Sequence, residues 1–154
     1  MGLFGFIKEA GEKLFGHKDD VSPEEQTRLN QAAAQAIFDH INSLGLKWSN
    51  LMVSFMGGQV SVSGSTPDQE NREKIILAAG NVHGVDNVED HLLVEAPAAE
   101  ARFYTVVSGD TLSKIAAEQY GNASKYPVIF EANKPMLKDP NKIYPGQNLR
   151  IPPL

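Results

Sequence analysis

The 154 residues include no cysteine, so neither disulfides nor a cysteinyl zinc site hold this chain together, and any small domain in it depends on its apolar core. That usage suits a reducing compartment. No apolar run reaches membrane-spanning length, and the opening MGLFGFIKEAGEKLFG has no cationic start, long apolar stretch or small-residue cleavage site of a secretory signal. Phe6 stands where an N-myristoylation signal wants Ser or Thr. A cytoplasmic protein is expected. Strong positive charge is missing too: the net charge is -5, divided as +3 over residues 102–154 and -8 before them. With no basic run and no interleaved aromatics, nucleic acid is excluded as a partner. The four histidines, at 17, 40, 83 and 91, have no metal-ligand spacing, and there is no GxSxG elbow and no P-loop. Neither an enzyme nor an organic cofactor is expected.

Against these absences stand clear periodic segments. Leu3, Phe4, Ile7, Ala10 and Leu14 share one helical face, with Lys8, Glu9, Glu12 and Lys13 mostly elsewhere, which predicts a short amphipathic helix at the start of residues 1–21. Gly5 and Gly11 each weaken it by roughly 1 kcal/mol against Ala, so it needs a dock or a ligand to stay formed. Its polar face is not enriched in cations, which favours docking on its own protein over a membrane surface. A membrane contact through Phe4, Phe6 and Phe15 is the weaker alternative.

Ser22-Pro23-Glu24-Glu25 is a capping box with proline at the first helical position, and Leu29, Ala33, Ala36, Ile37, Ile41 and Leu44 make the stripe of the helix it opens. His40 lies beside that stripe as a packing residue. Leu51, Val53 and Phe55, then Gly57-Gly58, then Val60 and Val62, predict a hairpin with one buried face. Thr66-Pro67-Asp68-Gln69 repeats the capping pattern before a helix with Ile75, Ile76 and Ala79 inward and Gly80 at its end. Val85, Val88 and Leu92-Leu93-Val94 follow as a third strand. The helices are expected to cover one face of a small mixed sheet.

Between the second helix and that strand lies Gly80-Asn81-Val82-His83-Gly84-Val85-Asp86-Asn87-Val88. Two readings are open. Gly80 and Gly84 both tolerate φ > 0, so the backbone can bend until several carbonyls face one point and make a cation site. Alternatively, Gly80 simply ends the helix and Gly84 lets the strand start close to a neighbour. Asp86, Glu89 and Asp90 read as a solvated strand edge and as the runner-up site for a divalent ion, although they lack an EF-hand pattern.

The α-β-β-α-β order, the Val60-Ser61-Val62-Ser63-Gly64 strand ending and the glycine segment resemble a BON domain over residues 22–95, a module associated with binding and not catalysis. Residues 96–102 read as a linker. Over residues 103–154, the segments YTVVSGDTLSKIA, FEANK and IYPGQNLRIP resemble a LysM domain, β-α-α-β, with Tyr144-Pro145-Gly146-Gln147 set for a type II turn. The fold class is α+β. LysM domains commonly bind peptidoglycan or other N-acetylglucosamine glycans. By that resemblance the groove here is Gly109, Asp110, Thr111 and Leu112 facing Ile129, Asn133, Ile143, Tyr144 and Pro145. Read as residues alone, Asp110 is equally well placed as a helix cap, and Leu112 and Ile129 as core.

A BON domain followed by one LysM domain and preceded by GLFGFIKEAGEKLF resembles the cytoplasmic potassium-binding BON-LysM proteins of bacteria. A monomer is expected, and the resemblance implies that its K⁺ is held by main-chain carbonyls. Matched by motif, these are Ile7 and Ala10 in the N-terminal segment and Gly80, Val82 and Gly84 in the loop. Neutral carbonyl dipoles suit a weakly hydrated monovalent cation, whereas Ca²⁺ or Mg²⁺ want carboxylates. The function expected is a K⁺ sensor or buffer whose parts tighten together on the ion. The alternative is a glycan-binding protein associated with the cell envelope.

Overall fold

The computed structural model describes residues 2–6, 11, 14 and 22–154. Its first sheet has four strands in the order β1-β4-β3-β2: Gly2–Gly5 (β1), Ser49–Met56 (β2), Gln59–Asp68 (β3) and Asn87–Ala96 (β4). β2 and β3 form the expected hairpin, with Gly57 and Gly58 at φ 56° and 83° making the two-residue reversal that only glycine adopts freely. β3 pairs with β4 in parallel, and β1 pairs antiparallel with the other side of β4.

The strand β1 is a departure. The pattern around Leu3 and Phe4 predicts the first turn of a helix, but Gly2–Gly5 is paired in register with Asn87 to Asp90. Gly11, at φ 103°, is not helical either. Two glycines in five residues make helix costly, while extended backbone gains a ladder of bonds along an available strand. The remainder of the expected helix, including Ile7 and Ala10, lies outside the described residues, as does Phe15.

Helix α1, Pro23–Ser43, starts as its capping box directs, with Ser22 Oγ accepting from the Glu25 amide at 3.2 Å. Ala33, Ile37 and Ile41 are its buried stripe. Helix α2, Gln69–Gly80, starts two residues later than the pattern suggests. Thr66 and Pro67 still belong to β3, and Asp68 is the cap, accepting from the Asn71 amide at 2.8 Å. With Val60, Val62, Val88 and Leu92 these helices close one core. Phe6 and Leu14 pack against it.

The second unit pairs Arg102–Thr105 (β5) with Asn148–Ile151 (β6), antiparallel. Between them come Leu112–Tyr120 (α3), a short 3-10 turn and Tyr126–Ala132 (α4). Its core is Val106, Leu112, Ile115, Ala116, Ile129, Leu137, Leu149 and Ile151. Both modules therefore have the predicted element order, and the α+β class holds.

α2 is buried on more than the predicted face. Leu77, Ala78 and Gly80 are buried along with Ile75, Ile76 and Ala79, because the second unit covers the opposite side. At that seam Arg150 Nε donates to Glu73 Oε1 at 2.7 Å, and the Ala101 amide donates to Glu73 Oε2 at 2.8 Å. Both side chains of the ion pair are nearly dry. Removing one partner of such a pair strands the other charge, at a cost of about 3–5 kcal/mol.

Candidate cation site

The glycine loop leaves the C-terminal end of α2, where unpaired carbonyls and the negative end of the helix dipole gather. Gly80 is the last helical residue and does not have a positive φ; the cap is Asn81, at φ -81°. Glycine is required here for space. A Cβ on Gly80 would lie 1.9 Å from the Phe6 ring, so the ring rests directly on the helix end. Gly84 does take φ 95° and turns the chain into β4. Val82 is fully buried, and its carbonyl accepts from the Val85 amide at 3.1 Å, which leaves a second lone pair on that oxygen.

The N-terminal segment meets this loop at three points. The Phe6 amide donates to the Asp86 carbonyl at 2.5 Å, the Phe6 ring covers Gly80, and Gly11 abuts the loop backbone. A Cβ on Gly11 would fall 1.8 Å from the Asn81 carbonyl oxygen. The described residues thus bring the segment on either side of Ile7 and Ala10 against the turn that carries Gly80, Val82 and Gly84. The five expected ligands would be backbone oxygens without a carboxylate, a donor set that suits a monovalent cation better than a divalent one.

The runner-up divalent site does not survive as drawn. Asp90 is 1% exposed and is engaged by Arg72 Nε at 2.8 Å, by Arg72 Nη2 at 2.5 Å and by the Leu92 amide at 2.9 Å. Glu89 Oε2 accepts from Gln59 Nε2 at 2.7 Å, and Glu89 Oε1 lies 2.7 Å from His91 Nε2. β4 is not a sheet edge at all, since β1 covers it. Among the described residues no cluster of three or more His, Asp or Glu side chains is arranged to hold a metal.

Asn81 links the loop to the second unit. Its side-chain Nδ2 donates to the Asn148 carbonyl and its Oδ1 accepts from the Asn148 amide, both at 2.9 Å. That reciprocal pair fixes the position of β6 against the loop. Sequence reasoning passed over Asn81. Its position immediately after the helix-ending glycine is the only signal, and it does not specify a partner 67 residues away.

The groove residues of the second unit are used differently. Asp110 is not the cap of α3: its Oδ2 accepts from Tyr104 Oη at 2.6 Å and from the Val107 amide at 2.9 Å, while Thr111 Oγ1 caps the helix through the Lys114 amide at 3.1 Å. The Tyr104 hydroxyl and the Val107 amide hold the Asp110 carboxyl below its ordinary range, and the same bond pushes the Tyr104 pKa up to about 12. Asn133 is 2% exposed; its Nδ2 donates to the Ile129 and Arg150 carbonyls and its Oδ1 accepts from the Arg150 amide. Leu112 and Ile129 are core. Gly109, Thr111 and Pro145 remain at the surface, Ile143 and Tyr144 are half-buried, and Gly146 at φ 91° completes the turn after Pro145.

These two modules are members of known families: residues 30–96 match the BON domain and residues 104–152 match the LysM domain. The chain is therefore a BON-LysM protein. It belongs to the family of the Potassium binding protein Kbp of Escherichia coli O6:H1, with which it is 46% identical over 153 residues, 99% of each chain. An uncharacterized protein of Deinococcus radiodurans is 34% identical over 146 residues, 86% of this chain and 55% of that one. An esterase of Mycobacterium tuberculosis shares 54% identity over only 48 residues, 10% of the enzyme's length, which carries no implication of esterase chemistry. No helix among the described residues is long and apolar enough to cross a membrane.

Proposed function

We propose that this protein binds potassium in the cytoplasm, as a sensor or buffer, with one ion held by the carbonyls of Ile7, Ala10, Gly80, Val82 and Gly84. The observation that carries this reading is the close approach of Gly11 and Phe6 to the Asn81 carbonyl and Gly80, in a chain nearly half identical to a potassium binding protein. K⁺ gives up its water shell readily, and carbonyl dipoles at a helix C-terminus replace it without the desolvation cost of carboxylates. An ion bridging the N-terminal segment and the loop stabilises β1, the Phe6 contact and, through Asn81, the packing of the LysM module. A ligand that binds only the folded form raises stability by about 2.7 kcal/mol at 100 times its dissociation constant. Melting in KCl against equal NaCl and choline chloride tests this. A higher midpoint in KCl is expected; coincident midpoints remove the proposal.

A second reading, glycan binding by LysM, is favoured by the match over residues 104–152 and by the exposure of Gly109, Thr111 and Pro145. Asn133 is too fully engaged to serve it. Retention on insoluble peptidoglycan, weakened by Thr111→Ala, is its expected outcome, and free passage in the unbound fraction discards it.

A further inference from the structure

We propose that the cleft between the BON and LysM modules is a second binding site, for a small molecule with an anionic head and an apolar body. The cleft holds a partly open cavity of about 270 Å³, just below the usual size range of ligand pockets. One wall comes from the ends of α1 and α2 and the other from the segment between α4 and β6. Leu44, Leu77, Met136 and Leu137 give it an apolar lining. Lys138 and Lys142 supply the basic groups, against a single acid among the lining residues, Asp139, whose Oδ1 accepts from the Asn141 amide at 2.8 Å.

That combination selects its ligand. A neutral apolar molecule leaves the lysines unused, and a cation is repelled by them. An anion without an apolar body forgoes the Leu77 and Met136 contacts, worth about 25 cal/mol per Å² buried. The α2 C-terminus at Asn81 is electronegative, so the head belongs at the Lys138 and Lys142 end, with the body against Leu77. None of the five carbonyl ligands proposed for K⁺ belongs to a residue lining the cleft, so the two sites stand or fall separately.

The probe is 8-anilinonaphthalene-1-sulfonate, compared with uncharged N-phenyl-1-naphthylamine, titrated by fluorescence into the full-length protein in choline chloride without potassium. The expected result is saturable binding of one sulfonate per chain, with the uncharged analogue weaker. The Lys138→Glu/Lys142→Glu variant, whose two changes are at exposed positions, should bind about tenfold more weakly. Backbone amide shifts on binding should centre on Asn81, Met136 and Gln147. Equal affinity for the neutral probe, unchanged affinity in the double variant, or shifts centred elsewhere overturns the proposal.

Discussion

The loop after α2 and the loops bracketing the LysM groove are both glycine-bearing turns at helix ends, yet they use their residues in opposite ways. At the BON loop two glycines are there for approach: Gly80 in the loop admits the Phe6 ring, and Gly11 of the N-terminal segment admits the Asn81 carbonyl. Gly109 in the LysM groove has open space beside it, and it is the polar side chains that are committed, Asp110 to Tyr104 and Val107, Asn133 to α4 and β6. Close backbone approach gathers carbonyls. Internally satisfied side chains make a rigid frame with little hydrogen-bonding capacity left over. The backbone oxygens proposed to hold the ion therefore gather on the BON side, with the LysM module held against it.

The strongest way to break that arrangement is at the seam. Glu73→Ala strands Arg150 in a dry environment and should lower unfolding stability by about 3–5 kcal/mol, with the two modules melting as separate transitions in urea. A single transition shifted by less than about 1 kcal/mol would mean that the seam is dispensable. Next in size are the glycines. Gly80→Ala drives a methyl into the Phe6 ring, and Gly11→Ala adds backbone strain at φ 103° to a clash with the loop. Each should cost about 1–3 kcal/mol and abolish the potassium-dependent rise in melting point. The same rise surviving in both variants would separate the N-terminal segment from ion binding.

On the LysM side the effects should be smaller and independent of the cation. Thr111→Ala removes the α3 cap, costing about 1 kcal/mol while leaving the response to KCl intact. Smallest is the Tyr104–Asp110 pair. The Asp110 carboxyl is held below its ordinary 3.8, so what it contributes is present above that value and disappears as pH falls through the lowered pKa. Tyr104 contributes below pH 10.0 and loses its share as pH rises toward about 12. Tyr104→Phe should move the Asp110 carboxylate titration, followed by NMR, back toward 3.8. Because both groups are only half-buried and solvent still screens the pair, the change in stability should be slight.

What could be read from the chain alone follows the same division. Caps, hairpin glycines and periodic stripes are local signals, and α1, the β2–β3 hairpin and the Pro145-Gly146 turn follow from them directly. Contacts between distant segments leave no such signal. Gly2–Gly5 has apolar spacing compatible with a helix, and only the exposed flank of β4 makes it a strand. Asp90 reads as a surface acid until Arg72, 18 residues earlier, closes over it. Thr66-Pro67 carries a capping pattern as good as that of Asp68, but the continued pairing of β3 with β4 overrides it and α2 starts after Asp68. At the candidate site the loop glycines could be picked out, but the reason for Gly80 could not, since it depends on Phe6.

That main-chain oxygens, not side chains, hold the ion is tested most directly by anomalous scattering from crystals grown with rubidium or thallium in place of potassium. One strong peak should lie between the N-terminal segment and the loop, ringed by the carbonyls of Ile7, Ala10, Gly80, Val82 and Gly84. A peak coordinated by carboxylates elsewhere, or none between those segments under saturating salt, would contradict it.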